Sequence, residues 1–181
     1  MRVTGLLICA SLAAACSPTF NWREFRSPEG YAVMLPGRPQ TVVRDVSLPT
    51  AAVPMSMTST GIGPTLFAVG SAHLPPALSS DAGVRLSTLG SWRDALVRNV
   101  NGSVVKLSPV RLTVPAGDSR RVLAAEAIEA VGSDSERRAV RLAARLFIVD
   151  DRLFQVVVLG GEGTLSPEIL ETFFTSFRLT E

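Results

Sequence analysis

The spacing of the apolar residues changes in the middle of the chain, and this change most constrains the fold. Between about Ser80 and Asn101 they recur every three or four residues, on one helical face: Leu89, Trp92, Leu96 and Val100. This spacing predicts an amphipathic helix, since 3.6 residues complete one turn. Ser80 or Asp81 can cap its start, and Asn101-Gly102 can end it.

On both sides of this segment, apolar and polar residues alternate, which is the pattern of half-buried strands. Turn residues such as Pro36-Gly37 and Gly61-Ile62-Gly63-Pro64 separate the runs. Residues 120–131 are rich in Ala and Glu, which favour helix, but they lie between two turns, and we predict a strand. The predicted strands are 31–35, 41–46, 53–60, 65–74, 110–114, 120–131, 138–149 and 153–160.

A second helix is predicted near the C-terminus. Ser166 can cap it and Pro167 fits its first position. The residues expected on its buried face are Ile169, Leu170, Phe173, Phe174 and Phe177. The sequence therefore predicts one α+β domain over residues 25–181, with a mostly antiparallel sheet of about eight strands, a central helix and a C-terminal helix.

The first fifteen residues have the pattern of an export signal. Arg2 is followed by an apolar run too short for a membrane span, which needs ~20 residues. The sequence Ala13-Ala14-Ala15-Cys16 resembles a bacterial lipobox, which predicts a signal peptide at 1–15, lipidation of Cys16 and a tether over 16–24. The alternative is an ordinary secretory signal that is cut elsewhere and leaves Cys16 as a free thiol.

Lipidation predicts the location and one partner of the chain. We expect an exported lipoprotein that is anchored in the membrane, on the outer membrane facing the periplasm if the host is Gram-negative. The 18 basic and 16 acidic residues nearly balance and form no basic patch, so nucleic acid is not an expected partner. The membrane, through the lipid, and a protein or other envelope component are the expected partners.

Three motifs carry a resemblance to a known family: "FRSPEGYAVMLPGRPQ" at 25–40, "RLFIVDDRLFQVVVLG" at 145–160 and "FFTSFRL" at 173–179. They resemble an uncharacterised bacterial lipoprotein domain that is similar to the PsbP/Mog1-like fold. The resemblance implies a strand after SPEG, a hairpin and a terminal helix. That fold hosts photosystem subunits, a GTPase-binding protein and lipoproteins, so it implies no single function.

The residues that could carry catalysis form no motif with a known mechanism. His73 is the only histidine, and neither GIG nor GGEG is followed by the Lys-Ser/Thr of a phosphate-binding loop. Asp150-Asp151 fits a hairpin turn better than a calcium loop, and on a strand Glu126 and Glu129 face opposite sides. We therefore predict no enzyme, no cofactor and no metal. A hydrolase built around His73 is the weakest of three functional hypotheses.

Two features are candidates for binding. On the predicted strand, Arg137, Arg141 and Arg145 share one face and could bind an acidic partner or lipid headgroups, although a solvated sheet face is the simpler explanation. Met55 and Met57 suit an adaptable surface or core packing. The leading hypothesis is a non-catalytic binding or assembly role. The alternative is a carrier of a small apolar ligand or lipid in a cavity between the helices and the sheet.

Overall fold

The computed structural model describes residues 20–48, 51–161 and 163–180. The predicted signal peptide and Cys16 lie outside these residues. Along the chain the elements are β1 (Arg23–Ser27), β2 (Tyr31–Leu35), β3 (Gln40–Ser47), β4 (Ala52–Ile62), β5 (Thr65–His73), α1 (Pro76–Ser79), α2 (Ala82–Arg98), β6 (Ser103–Ser108), β7 (Val122–Ser133), β8 (Ala139–Val149), β9 (Arg152–Gly161), α3 (Pro167–Ser176) and β10 (Arg178–Leu179).

The described strands form two antiparallel sheets, where the sequence predicted one. The large sheet has seven strands in the order β3-β4-β5-β9-β8-β7-β6, and the small sheet has three in the order β1-β2-β10. The α+β class is confirmed. The expected sheet of about eight strands is corrected to ten strands in two sheets, because β1, β2 and β10 pair with each other and not with the large sheet.

Side chains on the two faces of the large sheet enter separate cores. One face packs against α2 through residues such as Trp92, Ile128 and Leu146, all nearly inaccessible to solvent. The other face packs against the small sheet and α3 through residues such as Phe67 and Phe173. Alternation along β8 produces this division, because successive side chains of a strand point to opposite faces.

The predicted N-terminal caps of both helices are confirmed. The Asp81 carboxylate accepts a 3.0 Å hydrogen bond from the backbone N–H of Val84 at the start of α2. Ser166 accepts from the N–H of Ile169 at the start of α3, and Pro167 is the first helical residue. These caps pair backbone groups that have no partner inside a helix, which is why their residue types were readable in the sequence.

The structure differs from the predicted elements in three places. Residues 110–114 form no strand, although Val110, Leu112 and Val114 pack on the core. β6 was not predicted, because it is a sheet edge whose residues are exposed on both faces and do not alternate. The tether predicted over 16–24 ends earlier, since Trp22 stacks on Phe20 and β1 begins at Arg23.

Candidate functional site

The predicted row of three arginines is not a single surface. Arg137 lies before β8, in the turn that follows β7, with a positive φ of 63° and its N–H bonded to the Asp134 carbonyl. Arg141 and Arg145 do share one face of β8. Arg141 is exposed, and its Nη2 lies 3.4 Å from a carboxylate oxygen of Glu129. The row is therefore corrected to two residues in different surroundings.

Arg145 is half-buried against α3. Its Nη1 donates a 3.3 Å hydrogen bond to the backbone carbonyl of Phe174, in the last turn of the helix. Its guanidinium carbon lies 4.6 Å from the centre of the Phe174 ring. A helix C-terminus and an aromatic face both attract a cation. Phe174 therefore fixes the position of the Arg145 side chain.

Within the described ranges, Arg145 forms no ion pair. Burial lowers its pKa, and no neighbouring carboxylate acts in the opposite direction. Four of the five other partly buried arginines in the described ranges pair with an acid: Arg93 with Glu126, Arg120 with Asp118, Arg152 with Glu29 and Arg178 with Glu24. The fifth, Arg85, also has no described ion pair and donates to the Ser79 carbonyl. Arginine keeps its charge at any physiological pH. Arg145 is thus a partly desolvated cation without a counter-ion among the described residues.

A cleft of about 450 Å³ opens beside Arg145, between β7, β8, α3 and the chain that follows β6. Apolar side chains contribute most of its wall, and they include Val110, Leu170 and Phe174. Glu129 and Glu171 also border the cleft. Both oxygens of Glu129 are engaged, one by Lys106 at 3.3 Å and the other by Arg141. The cleft can therefore hold an acidic group next to an apolar one.

The other candidate residues have structural surroundings. His73 lies at the exposed end of β5, with Nδ1 3.7 Å from Asp151 and both side chains 68% exposed. Asp150 and Asp151 form the β8–β9 hairpin turn. Glu126 and Glu129 do face opposite sides of β7, and burial raises the pKa of Glu126 despite Arg93. In the part of the chain that the structure describes, no three His, Cys, Asp or Glu side chains are placed to hold a metal.

The methionine pair divides between two surroundings. Met55 is fully buried in the core under α2. Met57 is partly buried beside it and lines a second, smaller cavity. Core packing, one of the two roles predicted for the methionines, is therefore confirmed for Met55.

Sequence reasoning missed the contact that makes the arginine site. Phe174 was placed on the buried face of the last helix, and Arg145 on a polar strand face. Nothing local connects two residues that lie 29 positions apart in the chain. Arg145 begins the motif at 145–160 and Phe174 lies in the motif at 173–179, but neither motif indicates that the two side chains meet.

Two further findings concern membrane-spanning helices and similarity to known proteins. Among the described residues, no helix combines the length and apolar character needed to cross a membrane. No family model matches the chain, and no curated protein matches it either. The chain is similar to the solution structure of cyanobacterial PsbP (CyanoP) from Synechocystis sp. PCC 6803, with 14% identity, a TM-score of 0.48, and coverage of 93% of this chain and 98% of that chain. This likeness carries no information about function, and the α+β assignment rests on the pairings described above.

Proposed function

We propose that the chain is a non-catalytic binding protein of the cell envelope, anchored by lipid on Cys16, which binds an acidic group of a protein or other envelope component at the Arg145 cleft. One observation carries the binding role: Arg145 is half-buried, has no acidic partner among the described residues, and faces an open, mostly apolar cleft. A partner that brings a carboxylate supplies the missing counter-ion.

The guanidinium has enough free donors for this role. An arginine side chain carries five N–H donors in one plane, and a carboxylate uses two of them. The Phe174 carbonyl takes one donor of Arg145. Because Phe174 also packs on the guanidinium, little side-chain entropy is lost when a partner binds.

Burial strengthens the interaction with a partner. An exposed ion pair contributes ~0–1 kcal/mol, since water screens the charges. Arg145 is already partly removed from water by Phe174 and the strand. Glu129 does not compete for it, because Lys106 and Arg141 engage both of its oxygens. The Arg145 guanidinium can therefore attract an acidic group of a binding partner.

The binding role is tested by a matched pair of substitutions. In the anchored full-length chain, a photo-crosslinking residue replaces Thr175, which borders the cleft. We expect Arg145→Gln to reduce the yield of the main crosslinked product at least tenfold, since loss of one partner of a buried charge pair costs ~2–5 kcal/mol. Quantitative mass spectrometry of the crosslinked products measures the yield.

Arg121→Gln is the control, because Arg121 is an exposed arginine that forms a surface ion pair with Asp150, and it lies outside the cleft wall. We expect it to keep the wild-type yield to within about twofold, as a surface ion pair contributes little. Equal losses in the two variants contradict a site at Arg145, and so does an unchanged yield in both.

The anchor is tested separately. Cys16→Ser removes the proposed lipid acceptor, so the chain is expected to move from the membrane fraction to the soluble fraction and to lose incorporation of labelled palmitate. Cys9→Ser is the control, because Cys9 lies in the segment predicted to be removed. A Cys16→Ser protein that stays in the membrane fraction and still takes up palmitate contradicts lipidation at this residue.

A further inference from the structure

A second cavity, of about 200 Å³, lies on the opposite face of the large sheet, between the sheet and α2. Every side chain in its wall is uncharged, and most are apolar. They include Val46, Met57, Ala68, Leu96, Leu142 and Val157. An ionised ligand is therefore excluded, because a charge placed there has no counter-ion. A cavity in this position is what a carrier of a small apolar ligand requires.

One polar side chain reaches this apolar wall from the sheet. Gln155 on β9 is only 4% exposed, and its Oε1 accepts a 2.8 Å hydrogen bond from Nε1 of Trp92 on α2. An indole N–H can only donate, so this bond fixes which end of the amide faces Trp92. The Nε2 end of Gln155, with its two donors, is consequently turned away from the indole.

Among the described residues, the side-chain amide of Gln155 forms this one hydrogen bond, through Oε1, and Nε2 is not one of the fully buried side-chain atoms that lack a partner. Nε2 is therefore accessible, and Gln155 lines the cavity. The structure makes room for this side chain. A Cβ at Gly70 would lie 2.8 Å from Cγ of Gln155 and 2.5 Å from Sδ of Met55. Glycine at position 70 thus allows Gln155 to occupy its place beside the cavity.

We propose that this cavity binds a small, neutral, mostly apolar molecule of about one substituted ring, which carries a single hydrogen-bond acceptor such as a carbonyl oxygen for Nε2 of Gln155. The size follows from the volume, since an apolar cavity of about 150 Å³ is known to hold benzene. The acceptor follows from the accessible Nε2 donors. The proposal is independent of the Arg145 cleft, which lies on the other face of the sheet.

Two probes of nearly equal shape test the acceptor. Acetophenone has a carbonyl oxygen where α-methylstyrene has a CH₂ group. We titrate each into the full chain labelled with ¹³C at the methionine methyl groups. Met57 lies in the cavity wall, whereas Met34 on β2 is outside it. We expect both probes to shift Met57 and leave Met34 unchanged, with acetophenone binding about tenfold more tightly, the value of one net hydrogen bond.

Three substitutions complete the test. Ala95→Leu fills the cavity from α2 and is expected to abolish the Met57 shift with both probes. Gln155→Leu is expected to remove the preference for acetophenone. Since it also leaves the Trp92 N–H without an acceptor, the wild-type probe pair remains the primary comparison. Arg145→Gln is expected to leave both affinities unchanged, which separates this site from the cleft.

Several outcomes contradict the proposal. No Met57 shift at saturating probe means that the cavity holds no such ligand. Equal affinity of the two probes for the wild-type chain excludes the amide as the recognising group. Binding that survives Ala95→Leu, or that shifts Met34 as strongly as Met57, places the ligand elsewhere.

Discussion

Phe173→Ala is expected to lower the free energy of unfolding by about 3–5 kcal/mol, the usual cost of truncating a buried phenylalanine. Phe173 on α3 is 0% exposed, and its ring centre lies 5.2 Å from that of Phe67 on β5 in an edge-to-face arrangement. Phe67 in turn contacts Trp22 near the start of the described chain. The substitution therefore leaves a cavity where α3, the large sheet and residues before β1 meet.

Urea unfolding followed by circular dichroism measures this loss. Leu86→Ala is the matched control, because Leu86 is also an apolar residue on a helix but is 64% exposed. We expect it to change the free energy by less than about 0.5 kcal/mol, as surface substitutions usually do. A similar small effect for Phe173→Ala contradicts the packing of α3 on the large sheet.

Gly132→Ala is expected to destabilise the chain by about 3 kcal/mol, at the upper end of what overpacking costs. A Cβ at position 132 would lie 2.2 Å from the backbone oxygen of Val100 and 2.9 Å from the Cα of Gly102. Both are backbone atoms, which cannot rotate away as the end of a side chain can. The same carbonyl of Val100 accepts a 2.7 Å hydrogen bond from the N–H of Ser133, so separating the segments also breaks this bond.

Gly61→Ala is the control, because it also replaces a strand glycine with alanine but creates no steric clash. Its Cβ would be 3.8 Å from the nearest atom, the oxygen of Thr65, which is an ordinary contact. We expect this variant to equal or exceed the wild type in stability, since alanine restricts the unfolded chain more than glycine does. Thermal unfolding of the two variants side by side decides the point. Equal midpoints contradict the close approach of β7 to the α2–β6 connection.

Elements with a local cause were predictable from the sequence. The caps at Asp81 and Ser166 and the turn at Asp150-Asp151 depend on residues within a few positions of each other. The same is true of which side chains of β8 share a face. β7 was predicted against its Ala and Glu content, because the turns on either side favoured a strand. Its pairing with β8 outweighs a weak intrinsic preference for helix.

Elements that depend on distant partners were not predictable. Val110, Leu112 and Val114 alternate like a strand, but alternation reports which side chains are buried and not whether a backbone finds a partner. In β6 the reverse holds: its backbone pairs with β7 while its side chains stay exposed, so no pattern marks it. The division into two sheets has the same origin, because β2 pairs with β10 from the far end of the chain.

The candidate binding sites divide in the same way. Sequence alone determined that Arg141 and Arg145 share a strand face and that Phe174 lies on the buried side of a helix. Only the tertiary structure decided that Phe174 packs on Arg145 and that Glu129 pairs with Arg141 instead. Likewise, it alone placed Gln155 against Trp92. Periodicity reports the direction of a side chain from its own backbone, whereas a binding site depends on which distant side chains meet there.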